Sequence, residues 1–163
     1  MFAGIASTLP SARLIIANEG SLASTLRDLA TSLGLRAGRV EEGAQVEFVG
    51  RLAASVQDRC YMRSTWYMSL PSSDSVSVSV LEAMAHGCIP VLSDLPANRE
   101  LVQDGVNGLL LSDQNVEPAR LLEIASRTTE VARANRAWIA EHALFAPAVA
   151  RFVARLREIA NVA

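Results

Sequence analysis

The sequence predicts an α/β protein with a Rossmann-like parallel sheet flanked by helices. Short apolar runs of strand length alternate with segments of helical period along most of the chain. Strands and helices that alternate at this spacing are typical of a parallel, doubly wound sheet. The chain has 163 residues, is 50% hydrophobic and carries a formal charge of -2. These values fit one soluble globular domain over residues 1–163, because no linker is long enough to divide the chain.

The first half of the chain is predicted to contain helix, strand, helix, strand and helix, at 1–9, 13–17, 21–33, 46–50 and 53–62. Ser21 is expected to cap the second helix, and Gly34 to end it. Four leucines recur at helical spacing within that helix and predict its apolar face: Leu22, Leu26, Leu29 and Leu33.

The second half is predicted to contain alternating strands and helices followed by three helices. The segments are 66–70, 77–86, 88–92, 96–104, 109–111, 116–127, 130–142 and 147–161. The stretch after Pro71 alternates valine with serine, which favours a strand. The following run to Gly87 breaks that alternation and indicates a helix that Ser77 or Ser79 caps.

Composition excludes several classes of function. All fifteen basic residues are arginines, so this chain has no lysine for a Schiff base or a phosphate grip. The charge and the pI near 5.7 favour neither nucleic acid nor a membrane surface as a partner. No apolar run is long enough to span a bilayer, and no signal segment opens the chain. The two cysteines, Cys60 and Cys88, are not at a spacing that indicates a shared site, so we predict that they are free thiols. Free thiols are typical of a reducing compartment, and we therefore expect a cytoplasmic location.

Acidic residues flank the bend between the strand that ends near Leu70 and the next helix. Asp74 lies in the loop, and Glu82 follows after seven intervening residues. Ligands of parallel sheets bind at the carboxyl ends of strands, and unpaired N–H groups at a helix N-terminus attract phosphate. Carboxylates beside such a terminus suit the hydroxyls of a ribose and a sugar. The stretch therefore predicts a nucleotide-sugar site.

Asp74 lies eight residues before the glutamate of the motif LEAMAHGCIPV. This pattern resembles that of the retaining glycosyltransferases of family 4, which have the two-domain B-type fold. The resemblance extends to VEFVGR at 46–51, LIIANEG at 14–20, the Asn98-Arg99-Glu100 segment and DGVNGLLL at 104–111. It covers nearly the whole chain. It implies that this chain is the C-terminal, donor-binding half of such an enzyme.

The resemblance assigns roles to individual residues. Glu82 matches the glutamate that binds the ribose hydroxyls, and Asp74 matches the acid that faces the donor sugar. Ser75, Val76, Ser77 and Val78 match a loop, usually rich in glycine, whose N–H groups meet phosphate and sugar oxygens. Arg51 matches residues near the base or phosphates. For each position a structural role is the alternative: a first-turn glutamate, a turn aspartate, a helix start and a surface arginine.

The resemblance also implies what this sequence lacks. The family's first strand, which is central in the sheet, and its phosphate-binding arginine and lysine precede the part that aligns here. We expect the strands at 13–17 and 66–70 to pair directly, to accept a strand from another chain, or to leave an open edge. A homodimer, an N-terminal acceptor domain or a companion chain would then be a partner.

The predicted function is binding of a nucleotide-diphosphate sugar as substrate, without metal or other cofactor, for retaining transfer to an acceptor. We expect the isolated chain not to transfer sugar by itself. The alternatives are a non-catalytic nucleotide-binding module, a structural remnant of such an enzyme, and an unrelated flavodoxin-like binder.

Overall fold

A computed structural model describes residues 1–113 and 115–162 of the chain. The described residues form two compact units. The first contains residues 1–59 and 115–122, and the second contains 60–113 and 123–162.

The first unit contains a two-stranded parallel sheet. Its elements are α1 (Phe2–Thr8), β1 (Leu14–Ala17), α2 (Ala23–Ser32), a 3-10 turn (Val40–Glu42), β2 (Val46–Gly50) and the start of α3 (Ala54–Arg63). β1 pairs with β2 so that Leu14 lies opposite Val46. The predicted order of helix and strand is confirmed here, with boundaries that differ by one or two residues.

The leucine face of α2 is turned outward. Leu22 is 63% exposed and Leu29 is 50% exposed, whereas Ala30 is buried. The guanidinium of Arg27 lies 4.6 Å from the centre of the Phe48 ring on β2, a cation–π contact. The predicted cap at Ser21 is wrong, because the N-cap residue is Leu22 and no side chain caps the helix.

The second unit contains a three-stranded parallel sheet in the order β3, β4, β5. Its strands are β3 (Trp66–Ser69), β4 (Ile89–Ser93) and β5 (Leu109–Leu111), and its helices include α4 (Val78–His86) and α5 (Pro96–Arg99). Helix α6 (Pro118–Ala125) begins in the part of the chain assigned to the first unit, and α7 (Thr128–His142) and α8 (Phe145–Val162) belong to the second. β4 is buried along its whole length.

The core of the second unit lies between β4, α4 and α7. Met84 and Leu92 have no exposed surface, and Val80 on α4 and Ile139 on α7 pack with them. The central strand is apolar because both of its faces are covered, as is usual in parallel sheets.

Helix α5 is shorter than predicted, since it ends at Arg99 and not near Asp104. The chain turns after it, so that Leu101 and Val102 enter the core. Asn107 then holds the turn, accepting a hydrogen bond from the Gln103 N–H and donating to the Leu101 carbonyl. These side-chain bonds stabilise a loop in place of further helical turns.

The predicted α/β class with parallel strands is confirmed. The described strands fall into two sheets, so direct pairing of the strand at 13–17 with that at 66–70 is not observed. None of the helices that the structure describes is long and apolar enough to cross a membrane.

Candidate functional site

The candidate site lies where β3 ends and α4 begins. The chain leaves the carboxyl end of β3 at Ser69, runs through an exposed loop, and enters α4 at Val78. β3 and β4 are parallel, so the carboxyl end of β4 lies at the same edge of this sheet. This placement agrees with the position expected for a ligand site of a parallel sheet.

Buried polar groups fix the start of this loop. The Ser93 hydroxyl, at the end of β4, donates to the Pro71 carbonyl over 2.6 Å. The Asn98 side-chain amide donates to the Ser93 carbonyl over 2.8 Å. Ser93 and Asn98 are 6% and 4% exposed. No role was predicted for Asn98 from the sequence, and its hydrogen bond shows that it supports the loop through Ser93.

Asp74 lies at the exposed tip of the loop. Its Oδ1 accepts a hydrogen bond from the Ser75 N–H over 2.8 Å. The carboxylate therefore stabilises its own turn, which is the structural alternative that the sequence left open. This contact uses one oxygen, and the exposed carboxylate remains accessible to a ligand above the loop.

A chain of hydroxyl groups lies at the N-terminus of α4. The Tyr67 hydroxyl on β3 donates to Ser79 Oγ over 3.0 Å, and Ser79 Oγ lies 2.8 Å from Ser77 Oγ. Ser77 is the N-cap residue, but its side chain makes no capping hydrogen bond. The predicted capping role is therefore wrong for both serines, because their hydroxyls bond to each other. Tyr67 was not predicted to contribute to the site, because it is separated from Ser79 by twelve positions.

The valines between these serines face different environments. Val76 packs against the core cluster, whereas Val78 is 68% exposed. Val78 and Glu82 are four positions apart on α4 and so share one face of the helix. The first N–H groups of an α-helix have no partner within the helix. The exposed face around Val78 therefore presents backbone donors beside the loop.

Glu82 lies in the second turn of α4, not in its first, and it is exposed. The residues next to it, Ala83 and Met84, are fully buried in the core of the second unit. The backbone that carries Glu82 is therefore held by packing. Its position differs from the first-turn placement that the sequence suggested, but Glu82 stays on the face shared with Val78.

The C-terminus of α4 is fixed by contacts that explain His86 and Gly87. The His86 ring stacks on Tyr61 at 5.8 Å, and Arg136 on α7 donates to the His86 carbonyl over 2.8 Å. Gly87 has a φ of 94°, in the left-handed region that glycine favours, and Arg136 covers its α-carbon. These contacts give His86 a structural role, as the sequence analysis favoured.

Arg51 lies in the first unit, directly after β2, and it is exposed. The carboxyl ends of β1 and β2 meet there, because the Asn18 N–H donates to the Gly50 carbonyl over 2.6 Å. The other predicted site residues, Asp74, the 75–78 loop and Glu82, lie in the second unit. Each group therefore occupies the strand ends of its own unit.

Two ionisable groups with shifted pKa values, Asp94 and Cys88, lie next to the ends of β4. Arg99 donates to both oxygens of Asp94 over 2.6 and 2.9 Å, and this hydrogen bonding lowers the pKa of that exposed carboxyl. Burial raises the pKa of the Cys88 thiol to about 11, although Arg136 acts in the opposite direction. Cys88 and Cys60 are free thiols. The buried thiol is thus a structural group rather than a nucleophile.

Among the described residues, no group of three or more histidine, cysteine or acidic side chains is arranged to hold a metal ion. The metal-free transfer expected from the sequence stays a prediction.

The family model for glycosyl transferases group 1 matches residues 1–127. This match covers most of the chain and includes the loop, α4 and both strand ends described above. The chain belongs to the group 1 glycosyl transferase family. No curated protein sequence matches it.

Solved glycosyltransferase structures share this fold. The catalytic domain of cholesterol-alpha-glucosyltransferase from Helicobacter pylori has a TM-score of 0.67 at 19% identity, over 85% of each chain. The GtfA/B complex has a TM-score of 0.67 at 23% identity, over 97% of this chain and 32% of that one. Anabaena HepE in complex with UDP-glucose has a TM-score of 0.66 at 18% identity, over 86% and 40%. The chain thus spans a third to two fifths of the last two proteins.

Proposed function

We propose that this chain binds a nucleotide-diphosphate sugar and serves as the donor-binding part of a retaining, family 4 glycosyltransferase. The observation that carries the proposal is the anchored loop at the start of α4, with Asp74 at its tip and Glu82 on the exposed face of the helix. Membership of the group 1 family supports the reaction class. Binding of UDP-glucose by HepE, which has the same fold, supports the class of ligand.

In this proposal the diphosphate lies at the N-terminus of α4. Backbone N–H groups of the 75–78 loop and the serine hydroxyls donate to its oxygens, and the helix dipole favours its negative charge. Glu82 accepts hydrogen bonds from the ribose hydroxyls. Asp74 faces the donor sugar, and the role of Arg51 near the base or phosphates stays a prediction from the sequence. The donor binds as substrate, and the proposal includes no metal or other cofactor.

Stabilisation of the departing diphosphate is the main chemical contribution that this site would make. Charge develops on the leaving phosphate as the glycosidic bond breaks, and oriented donors lower the energy of that state. The chain has no lysine to share this task. We infer that transfer requires further cations and an acceptor site from an N-terminal domain or a companion chain. The GtfA/B complex has the same fold and is itself an assembly.

The test is a calorimetric titration of the chain with UDP, GDP and ADP. We expect saturable binding of one of them, weakened about tenfold or more in Glu82→Ala, because a hydrogen bond to a charged group contributes about 1.5–3 kcal/mol. Glu123→Ala, an exposed glutamate on α6, is the matched control and should bind as wild type does. A folded wild-type chain that binds none of the three at millimolar concentration would contradict the proposal.

A non-catalytic nucleotide-binding module is the second candidate, because the chain has no lysine for the diphosphate. A donor-hydrolysis and transfer assay on the chain together with an acceptor-binding partner distinguishes the two. Turnover that Asp74→Ala abolishes supports the transferase, and nucleotide binding without turnover supports the module.

The free thiols Cys60 and Cys88 fit a reducing compartment, so a cytoplasmic location stays part of this proposal.

A further inference from the structure

We propose that Tyr67 is a positioning residue that orients the Ser77 hydroxyl toward a phosphate group of the nucleotide. This inference rests on the proposed function and deepens it. It adds to the backbone donors of the 75–78 loop a phosphate contact from Ser77, which is the last of three hydrogen-bonded hydroxyls, Tyr67, Ser79 and Ser77. These three hydroxyls link β3 to the first turn of α4.

The two hydrogen bonds leave one hydroxyl proton available for a ligand. Three hydroxyls carry three protons, and the two bonds among them use two. Tyr67 donates to Ser79 Oγ, and either serine can be the donor in the contact between Ser79 and Ser77. In the proposed arrangement Ser79 donates to Ser77, and the Ser77 proton is directed to the ligand. An acceptor-only group, such as a diphosphate oxygen, is the complement of this arrangement.

The Ser77 side chain is available for this contact because it does not cap its helix. A serine at the N-cap normally accepts a hydrogen bond from an N–H group in the first turn, and here no such bond is present. Only the Ser77 carbonyl takes part in the helix, accepting from the Val80 N–H over 3.1 Å. The hydroxyl is held by Ser79 instead, at the end of the loop that carries Asp74.

Tyr67 is well suited to hold this chain. It lies on β3, where its backbone is fixed by the parallel pairing with Pro90 on β4. Its ring packs edge-to-face against Tyr61 at 5.9 Å. The phenol oxygen therefore has a defined position, and its hydrogen bond to Ser79 fixes the orientation of the Ser79 hydroxyl. Serine hydroxyls otherwise rotate freely, and fixing one in advance reduces the entropy lost on binding.

The test compares phosphate-bearing and phosphate-free ligands. In Tyr67→Phe the ring and its contact with Tyr61 remain, and only the hydroxyl is lost. We expect about five- to tenfold weaker binding of the nucleoside diphosphate that wild type binds among UDP, GDP and ADP. Binding of the matching nucleoside, uridine, guanosine or adenosine, should change less than twofold. Inorganic pyrophosphate should compete with the diphosphate less effectively for the variant than for wild type.

Conservative variants and a double mutant separate positioning from a structural role. Ser79→Thr keeps a hydroxyl and should restore most of the affinity that Ser79→Ala loses. The double variant Tyr67→Phe/Ser79→Ala should bind no more weakly than the worse single variant, because both act through Ser77. Tyr61→Phe, on the neighbouring ring, should leave the ratio of diphosphate to nucleoside affinity unchanged.

The outcomes distinguish this inference from the proposed function. A wild-type chain that binds no nucleotide overturns both. A wild-type chain that binds a diphosphate, together with a Tyr67→Phe variant of equal affinity, overturns the positioning role alone. Equal weakening of nucleoside and nucleotide binding in Tyr67→Phe also overturns it, because that result indicates a general change in the site.

Discussion

The two units of this protein differ in how they bury their apolar side chains. In the second unit, β4 and the inner face of α4 are buried completely, and Ala83, Met84 and Leu92 have no exposed surface. In the first unit, the leucines of α2 are between 42% and 63% exposed. The same kind of amphipathic pattern thus gives a packed core in one unit and an uncovered face in the other.

The difference shows which part of the chain is able to hold a binding site rigidly. A three-stranded sheet with a covered central strand supports a defined loop, whereas a two-stranded sheet gives little independent stability. The loop at 71–77 is hydrogen-bonded to the end of β4 in the second unit. We therefore expect Asp74 and Glu82 to be more firmly placed than Arg51, which follows β2 of the first unit.

The largest expected contrast between the units is in their response to truncation of an apolar side chain. Met84→Ala should reduce the free energy of unfolding by about 2–5 kcal/mol, because it leaves a cavity in a fully buried site. Leu29→Ala on α2 should change it by less than about 0.5 kcal/mol, since Leu29 is 50% exposed. Urea denaturation followed by circular dichroism measures both. Equal losses would show that the leucine face of α2 is covered in solution.

A second comparison of the two units adds a methyl group to one glycine in each. A Cβ at Gly108 would lie 2.7 Å from the Pro90 carbonyl oxygen and 2.9 Å from Val102 Cγ1. Gly108→Ala should therefore destabilise the protein by about 1–3 kcal/mol through overpacking. Gly4→Ala on α1 meets no atom within 4 Å. It should stabilise the protein by about 0.5–1 kcal/mol, because alanine favours a helix.

Thermal melting of the two glycine variants provides the measurement. A neutral Gly108→Ala would show that the contact between Gly108 and Pro90 of β4 is looser than the structure indicates.

A smaller effect is expected from the buried thiol of the second unit. The pKa of Cys88 is raised from 9.0 to about 11, so the folded state holds its proton more tightly than the unfolded state does. The stability that this contributes is complete below pH 9.0 and is lost as the pH rises toward about 11. The free energy of unfolding should thus fall more steeply over this range in wild type than in Cys88→Ala. Parallel curves for the two proteins would contradict the assignment.

Thiol labelling of the folded protein provides an independent measurement. Cys60 is partly exposed and should react with a thiol reagent before Cys88, which is buried and donates to the Tyr61 carbonyl.

The order of strands and helices was predictable because it depends on local patterns. Apolar runs of strand length identified Val46–Gly50 and Leu109–Leu111 with correct boundaries. Gly87 identified the end of α4, since a left-handed residue there is a local requirement. Errors arose where local signals compete with packing. The Asn107 hydrogen bonds replace helix after Arg99, and the serines of α4 bond to each other instead of capping it.

The candidate site was predictable only in part. Asp74 and Glu82 were predicted as site residues from a motif and its spacing; the structure places both beside the start of α4, and their roles stay predictions. Tyr67 and Ser93 carried no sequence signal, because their roles depend on hydrogen bonds to residues 12 and 22 positions away.

The sequence by itself determined the fold class, the family and the loop that joins β3 to α4, because these follow from periodicity and from a motif of neighbouring residues. Only the tertiary structure decided which apolar faces are covered and which hydroxyl Ser77 contacts. Burial and long-range hydrogen bonds depend on which elements lie next to each other. A helix pattern such as that of α2 specifies an apolar face, and the neighbouring elements determine whether that face is covered.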